Sequence, residues 1–380
     1  MPEKRILLVT SRLDDGGAER WMYNTLKASR LPGDVVVDYY FFENVSDDAL
    51  FKGYEKMCRL VEFRELQSRG GLEPIVLRQD LARFIRANGP YEAIHVNGTP
   101  LVYQAAAMSA ARACGIPNRI VHSHTTMSSC RSGARAILKD IVRFYVLRNA
   151  TVLGACSRDA GEAKYGKRGV ASPKFKVFNN GIDLDRFSFD RKTRLQARSE
   201  LGFADERVVL HVGSMEERKN QQFLLSVFEE MLKLDSTARL VMVGDGPMRK
   251  EIERRIHEDG IGASVLIVPS TGQPERYYAA ADVLVFPSLA EGLPFVLLEA
   301  QASGLPCVVS DLVSREAALA GPSGFRYLSL METPGLWATE AMSCPIDCNR
   351  GGGSSLVCNA GFDIRDTSRI FFSICLEGLK

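Results

Sequence analysis

The stretch 281–311, ADVLVFPSLAEGLPFVLLEAQASGLPCVVSD, admits few structures. Its first six residues are a short apolar run, the pattern of a strand buried on both faces. Pro287 and Ser288 end that run. Gly292 and Pro294 open a helix, with Pro294 suited to its first turn, and Gly304 closes it. Residues 305–310 then return as a second buried strand. Two parallel strands need such a crossover between them. The same grammar recurs along the chain. Strands are expected at 5–10, 34–43, 93–97, 119–124, 151–155, 175–178, 207–212, 240–243 and 264–268. Helices are expected between them, among them 20–29, 72–88, 131–147 and 223–234. Alternation of this kind predicts an α/β fold with parallel sheets. A chain of 380 residues suits two domains.

Composition narrows the function. With 46% apolar and 25% charged residues, the chain is ordinary for a globular protein. A net charge of +2 gives no reason to expect nucleic acid as a partner. No apolar run is long enough to span a bilayer. The start, MPEKRILLVTSR, turns polar too quickly for a secretory signal and reads as the first strand. Nine scattered cysteines, an odd number, fit a reduced cytoplasmic chain. Cys344, Cys348 and Cys358 cluster, but no histidine is near and the spacing matches no common zinc site, so no metal is expected.

Several positions can carry chemistry. Glu291 follows a strand and precedes a helix N-terminus, the end of an open parallel sheet where ligands bind. A carboxylate there would repel a phosphate but accept hydrogen bonds from sugar hydroxyls. Glu299 lies in a helix (PFVLLEAQAS) that is apolar almost all round. Burial of its charge requires a partner. Ribose hydroxyls would serve. The bland alternative is a solvated Glu291 and a Glu299 paired with a basic side chain. Residues 14–19 (DDGGAE) place Gly16 and Gly17 between a strand and a helix, a layout that lets backbone approach an anion. Residues 213–220 (GSMEERKN) put Arg218 and Lys219 beside another helix N-terminus, where full charge adds to the helix dipole. His124 ends a strand, where a polar contact or proton transfer would be placed. His122 shares its face but lies deeper, and His95 reads as a strand residue with a local partner. Arg131, Arg135, Lys139 and Arg143 recur every four residues as a basic stripe. The stripe is either a solvated face or a contact for anionic lipid or a lipid-linked diphosphate.

The motif E-G-L-P-x-x-x-L-E-A, from Glu291 to Ala300, resembles the E-x7-E signature of retaining glycosyltransferases of family 4, which have the GT-B fold. NNGIDLDRF at 179–187 resembles the crossover between that family's domains. GGAER (16–20), VHSHTT (121–126), GSMEERKN (213–220) and VGDGP (243–247) resemble its remaining motifs. The resemblance implies two doubly wound Rossmann-like domains facing across a cleft. Residues 1–188 would bind the acceptor and 189–364 the nucleotide sugar, with the helix at 365–380 packing back on the first domain. It assigns the donor sugar to Glu291, with Gly292 and Leu293 beside it, and the ribose to Glu299. Lys219 would neutralise the departing diphosphate, Gly16 and Gly17 would line the site, and His124 would contact the sugar near the reacting carbon. Val268, Pro269 and Ser270 would receive the base. The arginine usual after the glycine at 213 is Ser214 here, and Arg218 is the candidate replacement. Protein cations and amides take up the charge in this scheme, so no metal and no cofactor beyond the nucleotide sugar is implied.

The expected function is therefore transfer of a sugar, with retention, from a UDP-linked donor to a saccharide or lipid-linked acceptor. Capsule or exopolysaccharide is the pathway that the resemblance suggests, carried out in the cytoplasm or on the inner membrane face. The rival readings are a nucleotide-sugar-binding partner subunit without turnover, and a GT-B phosphorylase or epimerase. Residues 190–198 read as linker and helix start, and 349–355 (NRGGGSS) as an exposed flexible loop.

Overall fold

The computed structural model of the chain describes residues 3–13, 17–42, 48–63, 72–124, 134–291, 293–346 and 350–379, with backbone alone at 48–50 and 134–135. They form two compact units, Met1–Gly181 with Ile364–Lys380, and Ile182–Asp363.

The first unit runs β1 (Lys4–Thr10), α1 (Gly17–Lys27), β2 (Val35–Phe41), α2 (Asp48–Glu55), β3 (Arg59–Glu62), α3 (Glu73–Asn88), β4 (Ala93–Asn97), α4 (Leu101–Ala113), β5 (Asn118–Ser123), α5 (Ala134–Asn149), β6 (Val152–Ala155), α6 (Arg158–Val170) and β7 (Phe175–Val177). Its strands make one parallel sheet in the order β3-β2-β1-β4-β5-β6-β7. The order reverses at β1, where Ile6 pairs with Val37 on one side and Ala93 on the other. Ile6, Leu7, Leu8 and Val9 are all fully buried. Helices cover both faces of such a sheet, so consecutive apolar residues in its central strands find cover on either side.

The second unit runs α7 (Leu184–Phe187), α8 (Arg191–Leu201), β8 (Val208–Val212), α9 (Gln221–Leu234), β9 (Arg239–Val243), α10 (Arg249–Glu258), β10 (Val265–Val268), α11 (Glu275–Ala280), β11 (Val283–Phe286), α12 (Phe295–Ala302), β12 (Cys307–Ser310), β13 (Phe325–Leu328), α13 (Pro334–Ser343) and α14 (Gly353–Asn359). Its parallel sheet has the order β10-β9-β8-β11-β12-β13 and reverses at β8. The last helix, α15 (Ile364–Glu377), belongs to the first unit. There Phe371 packs edge-on against Trp21 and His95, with ring centroids 5.3 and 4.8 Å apart. Ser368 Oγ donates to Thr25 O at 2.7 Å.

Two expectations are corrected. Residues 190–198 start a helix as expected but are no linker: Asp190 caps α8, and Arg194 and Arg198 on that helix are buried against Asp282 at 2.5 and 3.3 Å. Of residues 349–355, Gly351 and Gly352 do form an exposed turn, but the rest of the described part is no exposed loop. Arg350 is buried, and α14 starts at Gly353. A Cβ at Gly353 would collide with the Gln301 carbonyl, so the glycine there permits close packing of α14 on the end of α12. Arg350 Nη2 donates to Ala279 O at 2.9 Å and Ala281 O at 2.7 Å. Arg194 Nη1 reaches Ala279 O, Ala280 O and Ala281 O. The last carbonyls of α11, which no intrahelical N–H can reach, are thus covered by guanidinium groups, as the helix dipole favours.

Replacing Arg350 with Met removes one of the two guanidinium groups on Ala279 O and Ala281 O and leaves Arg194 alone to cover them. We expect Arg350→Met to lower stability by about 2–4 kcal/mol, read from denaturant midpoints, with the secondary structure unchanged.

Candidate active site

Two loops meet where the second sheet reverses. One follows β8 and the other follows β11, and both leave from strand carboxyl ends, the position at which open α/β sheets bind ligands. The β8 loop turns through a short 3-10 helix, Glu217–Lys219, into α9, with Asn220 left-handed (φ 57°) at the junction. Its shape depends on the neighbouring loop after β9. A Cβ at Gly244 (φ 151°) would strike the Gly213 carbonyl, and Met215 N donates to Asp245 O at 2.8 Å. Only glycine permits this approach, which accounts for the V-G-D-G-P turn.

The β8 and β11 loops are joined by charge. Lys219 Nζ lies 2.6 Å from Glu291 Oε1, and Arg218 Nη1 lies 2.7 Å from the same oxygen. The other guanidinium nitrogen, Nη2, holds Glu216 at 2.8 Å, and the Ser214 hydroxyl donates to that carboxylate at 2.8 Å. Backbone contacts reinforce the join: Leu289 N donates to Arg218 O at 2.8 Å, and Asn220 Nδ2 to Pro287 O at 3.2 Å. Lys219 is 7% exposed and its ammonium sits 5.1 Å from the centre of the Phe286 ring. Burial works against the charge of Arg218, but Glu291 and Glu216 outweigh it and raise its pKa further. Burial likewise disfavours the Glu216 carboxylate, while Ser214 and Arg218 lower its pKa on balance. Two cations and two carboxylates make this cluster formally neutral at rest.

Beneath it, His211 offers Nδ1 to the Val285 carbonyl at 3.0 Å, which leaves Nε2 to face the Gln221 amide nitrogen at 3.4 Å. Burial drives the His211 pKa down to about 4, with Val285 opposing and Lys219 adding to the fall. Glu299, on α12, accepts a hydrogen bond from Tyr278 Oη at 2.6 Å.

In the first unit, polar groups gather where its sheet reverses, at the ends of β4 and β5. His124 follows β5 and its Nε2 lies 2.8 Å from Asn97 Oδ1. Its ring centre is 4.1 Å from that of His122, and His122 Nδ1 lies 3.3 Å from His95 Nε2. Trp21 of α1 packs edge-on against His122 at 4.5 Å. Lys164 of α6 donates to Thr99 O at 2.8 Å. Burial drives all three histidines below their ordinary pKa, His124 to about 3 with Lys164 adding to the effect. Burial and Lys139 bring Lys164 down to about 8.

Residues 206–342 match the family model for glycosyl transferases group 1. EpsF of Bacillus subtilis (strain 168), a protein bearing a glycosyltransferase name, is 32% identical over 339 residues, covering 88% of this chain and 86% of its own. The chain belongs to the group 1 glycosyltransferases. The UDP-Gal:alpha-D-GlcNAc-diphosphoundecaprenol alpha-1,3-galactosyltransferase of Escherichia coli is 28% identical over 215 residues, 53% of this chain and 54% of that one. Among solved structures, Anabaena Alr3699/HepE in complex with UDP superposes with a TM-score of 0.77 at 18% identity, covering 97% and 98% of the two chains. The two units, each built on a parallel sheet, are those of the GT-B fold.

In this glycosyltransferase Glu291, Lys219 and Arg218 come together, and Leu293, two residues after Glu291, is buried. Glu299 is half-buried and hydrogen-bonded rather than sealed away, which corrects the expectation from its apolar helix. The Val268 carbonyl already accepts from Gly244 N at 2.9 Å, and Pro269 and Ser270 are exposed. Gly17 opens α1 with free space where a Cβ would stand. Gly16, Gly292, Arg131 and Cys348 lie outside the described residues, as does the Arg135 side chain. Among the described residues, no three His, Cys, Asp or Glu side chains are grouped to hold a metal. The sequence reading missed Asn97, Glu216, Lys164 and Tyr278. Asn97 read only as the last residue of the strand at 93–97, and Glu216 only as part of the motif at 213–220.

His95, His122 and His211 are buried and neutral when folded, but bind protons below about pH 6.5 when unfolded. The unfolded state therefore takes up more protons there, and stability falls as pH drops from about 6.5. We expect about 1.4 kcal/mol lost per histidine per pH unit below that point, before carboxylates titrate. Urea midpoints between about pH 7 and 5 test this, and His211→Asn should flatten the acid limb of the second unit.

Proposed function

We propose that this glycosyltransferase moves a sugar from UDP to a saccharide or lipid-linked acceptor, with retention, in the assembly of a polysaccharide. The observation that carries the reading is Glu291 held by Lys219 and Arg218 at the strand ends beside the reversal of the second sheet. Two relatives support the choice of ligands. The E. coli relative is named for UDP-Gal and a diphosphoundecaprenol acceptor, and Alr3699/HepE was solved with UDP and with UDP-glucose.

On this reading Lys219 and Arg218 take up charge on the leaving diphosphate, in the manner of donors already aimed at a developing anion. Arg218 does the work of the arginine that Ser214 replaces. Glu291 accepts from hydroxyls of the donor sugar, Glu299 from the ribose, and His124 contacts the sugar near the reacting carbon. The acceptor attacks from the face that the diphosphate leaves, and the leaving phosphate assists by taking the acceptor's proton. No carboxylate is assigned as a covalent nucleophile.

A second reading, a partner subunit that binds nucleotide sugar without turning it over, draws on Ser214. Product formation from labelled UDP-sugars separates the two, with Glu291→Ala as control. The resting cluster adds a sharper test. Glu291→Gln removes a counter-ion from both cations, so UDP should bind at least as tightly as before, by calorimetry, while transfer falls about a hundredfold or more. Lys219→Ala should instead weaken UDP binding about tenfold or more. Loss of UDP affinity in Glu291→Gln alone would show Glu291 to be structural.

The acceptor reading extends to α5. Ile137, Leu138, Ile141 and Phe144 stand 65%, 59%, 60% and 64% exposed on that helix. Arg143 is turned inward, to Asp140 at 2.5 Å and Lys164 O at 3.1 Å. Arg131 and the Arg135 side chain of the expected basic stripe lie outside the described residues, and the exposed side chains of α5 that are described include these four apolar ones. An apolar helix face of this kind suits the interfacial layer of a membrane that presents a lipid-linked acceptor. We expect sedimentation with anionic liposomes at low salt, lost in Ile141→Glu/Phe144→Glu. A protein that ignores liposomes under those conditions does not use this face for lipid.

A further inference from the structure

The geometry points to Asn97 as the positioning residue that fixes which nitrogen of His124 carries hydrogen and ties that histidine to the start of α1. Asn97 is the last residue of β4 and is fully buried. Its Nδ2 lies 2.9 Å from the Ala18 carbonyl oxygen. A carbonyl only accepts, so the amide nitrogen must be the group on that side. The amide's orientation, which a side chain alone leaves open, is therefore set by the backbone of α1. Its oxygen is turned to His124 Nε2 at 2.8 Å. That oxygen also only accepts, so Nε2 must carry a hydrogen.

Whether Nδ1 carries one too depends on what surrounds the ring. Lys164 on α6 brings positive charge, while His122 on β5 and, behind it, His95 on β4 bring neutral imidazoles. Trp21 of α1 packs on the same group, with its ring centre 5.7 Å from that of His124. Among the described residues, no carboxylate hydrogen-bonds to His124 or adds to its charge environment, so none of them favours a second proton. His124 is then a neutral Nε2–H imidazole whose Nδ1 is a lone-pair acceptor. It would receive a hydrogen bond from a hydroxyl and would repel a phosphate or carboxylate oxygen. This deepens the assignment of His124 to a sugar hydroxyl and rests on that assignment for its kinetic consequence only.

The link to α1 gives Asn97 its second task. Gly98 adopts φ +63°, a Cβ there would come within 3.0 Å of Ala18 Cβ, and Gly98 N donates to His122 O at 3.1 Å. The Asn-Gly pair thus sits between the histidine strand and the first turn of the helix that follows the glycine loop. A shift of that turn would be passed to His124 through one amide.

The test uses the full chain labelled with 15N-histidine, with His124 assigned by the signal missing in His124→Gln. Two-bond 1H–15N spectra should show His124 as the Nε2–H tautomer, without titration, from about pH 8 down to about 5.5. Asn97→Asp removes the donor to Ala18 and sets a carboxylate against Nε2–H. It should make His124 titrate inside that window, and kcat should gain an acid limb, falling about tenfold at the low end with KM for the donor little changed. Asn97→Ala should give a mixed tautomer signal and a pH-independent loss in kcat of about tenfold. A wild-type His124 that is Nδ1–H, or that titrates in the window, overturns the proposal. So does an unchanged Nε2–H pattern in Asn97→Ala. Should the variants fail to fold, the wild-type spectrum decides alone. The spectra require no turnover, so an enzyme inactive with every UDP-sugar but carrying an Nε2–H His124 would refute the donor assignment and leave this one standing.

Discussion

One carboxylate oxygen, Oε1 of Glu291, organises the candidate site of the second unit. Two cations from the β8 loop meet on it, and it arrives from the β11 loop. At these distances, even at an effective dielectric of about 20, each attraction is of the order of several kcal/mol, and burial of Lys219 limits screening by salt. The backbone bonds from Leu289 to Arg218 and from Asn220 to Pro287 then fix what the charges bring together. Parallel strands that reverse order at β8 place both loops at the same sheet edge, so the topology supplies the site and the ion pairs complete it.

That interaction also explains why the cluster includes Glu216. Two cations facing a single carboxylate would leave a net positive charge partly removed from water, which is costly. Glu216, held by Ser214, makes up the difference. The Ser214 hydroxyl fastens that counter-ion in place, and an anion approaching Arg218 would have to compete with Glu216 for it.

The sequence made the sheets legible because their central strands are buried on both faces and so must be apolar throughout. It failed where that requirement lapses. The edge strands β3 and β13 are half-exposed, RLVE and FRYL, and carry no such run. Residues 349–355 misled for another reason: glycine looks the same in a flexible loop as in a close contact, and only the collision that a Cβ at Gly353 would suffer tells them apart. Glu291, Lys219 and Arg218 could be named from motif and position, but their sharing of one oxygen could not. Nor could Asn97, whose role depends on which carbonyl its amide meets, 79 residues away.

The two histidine sites follow one rule. His211 has its tautomer set by the Val285 carbonyl, and His124 has its own set by an amide that a carbonyl has oriented. In each case the backbone, which cannot change its donor and acceptor roles, dictates the state of a ring that can. Burial then removes the remaining freedom by driving both pKa values well below neutrality. Histidine held this way stops being a switch near pH 7 and becomes a directional acceptor. That suits the recognition of hydroxyl-rich ligands, in which an acceptor of fixed direction separates one sugar hydroxyl from the next by geometry rather than by charge.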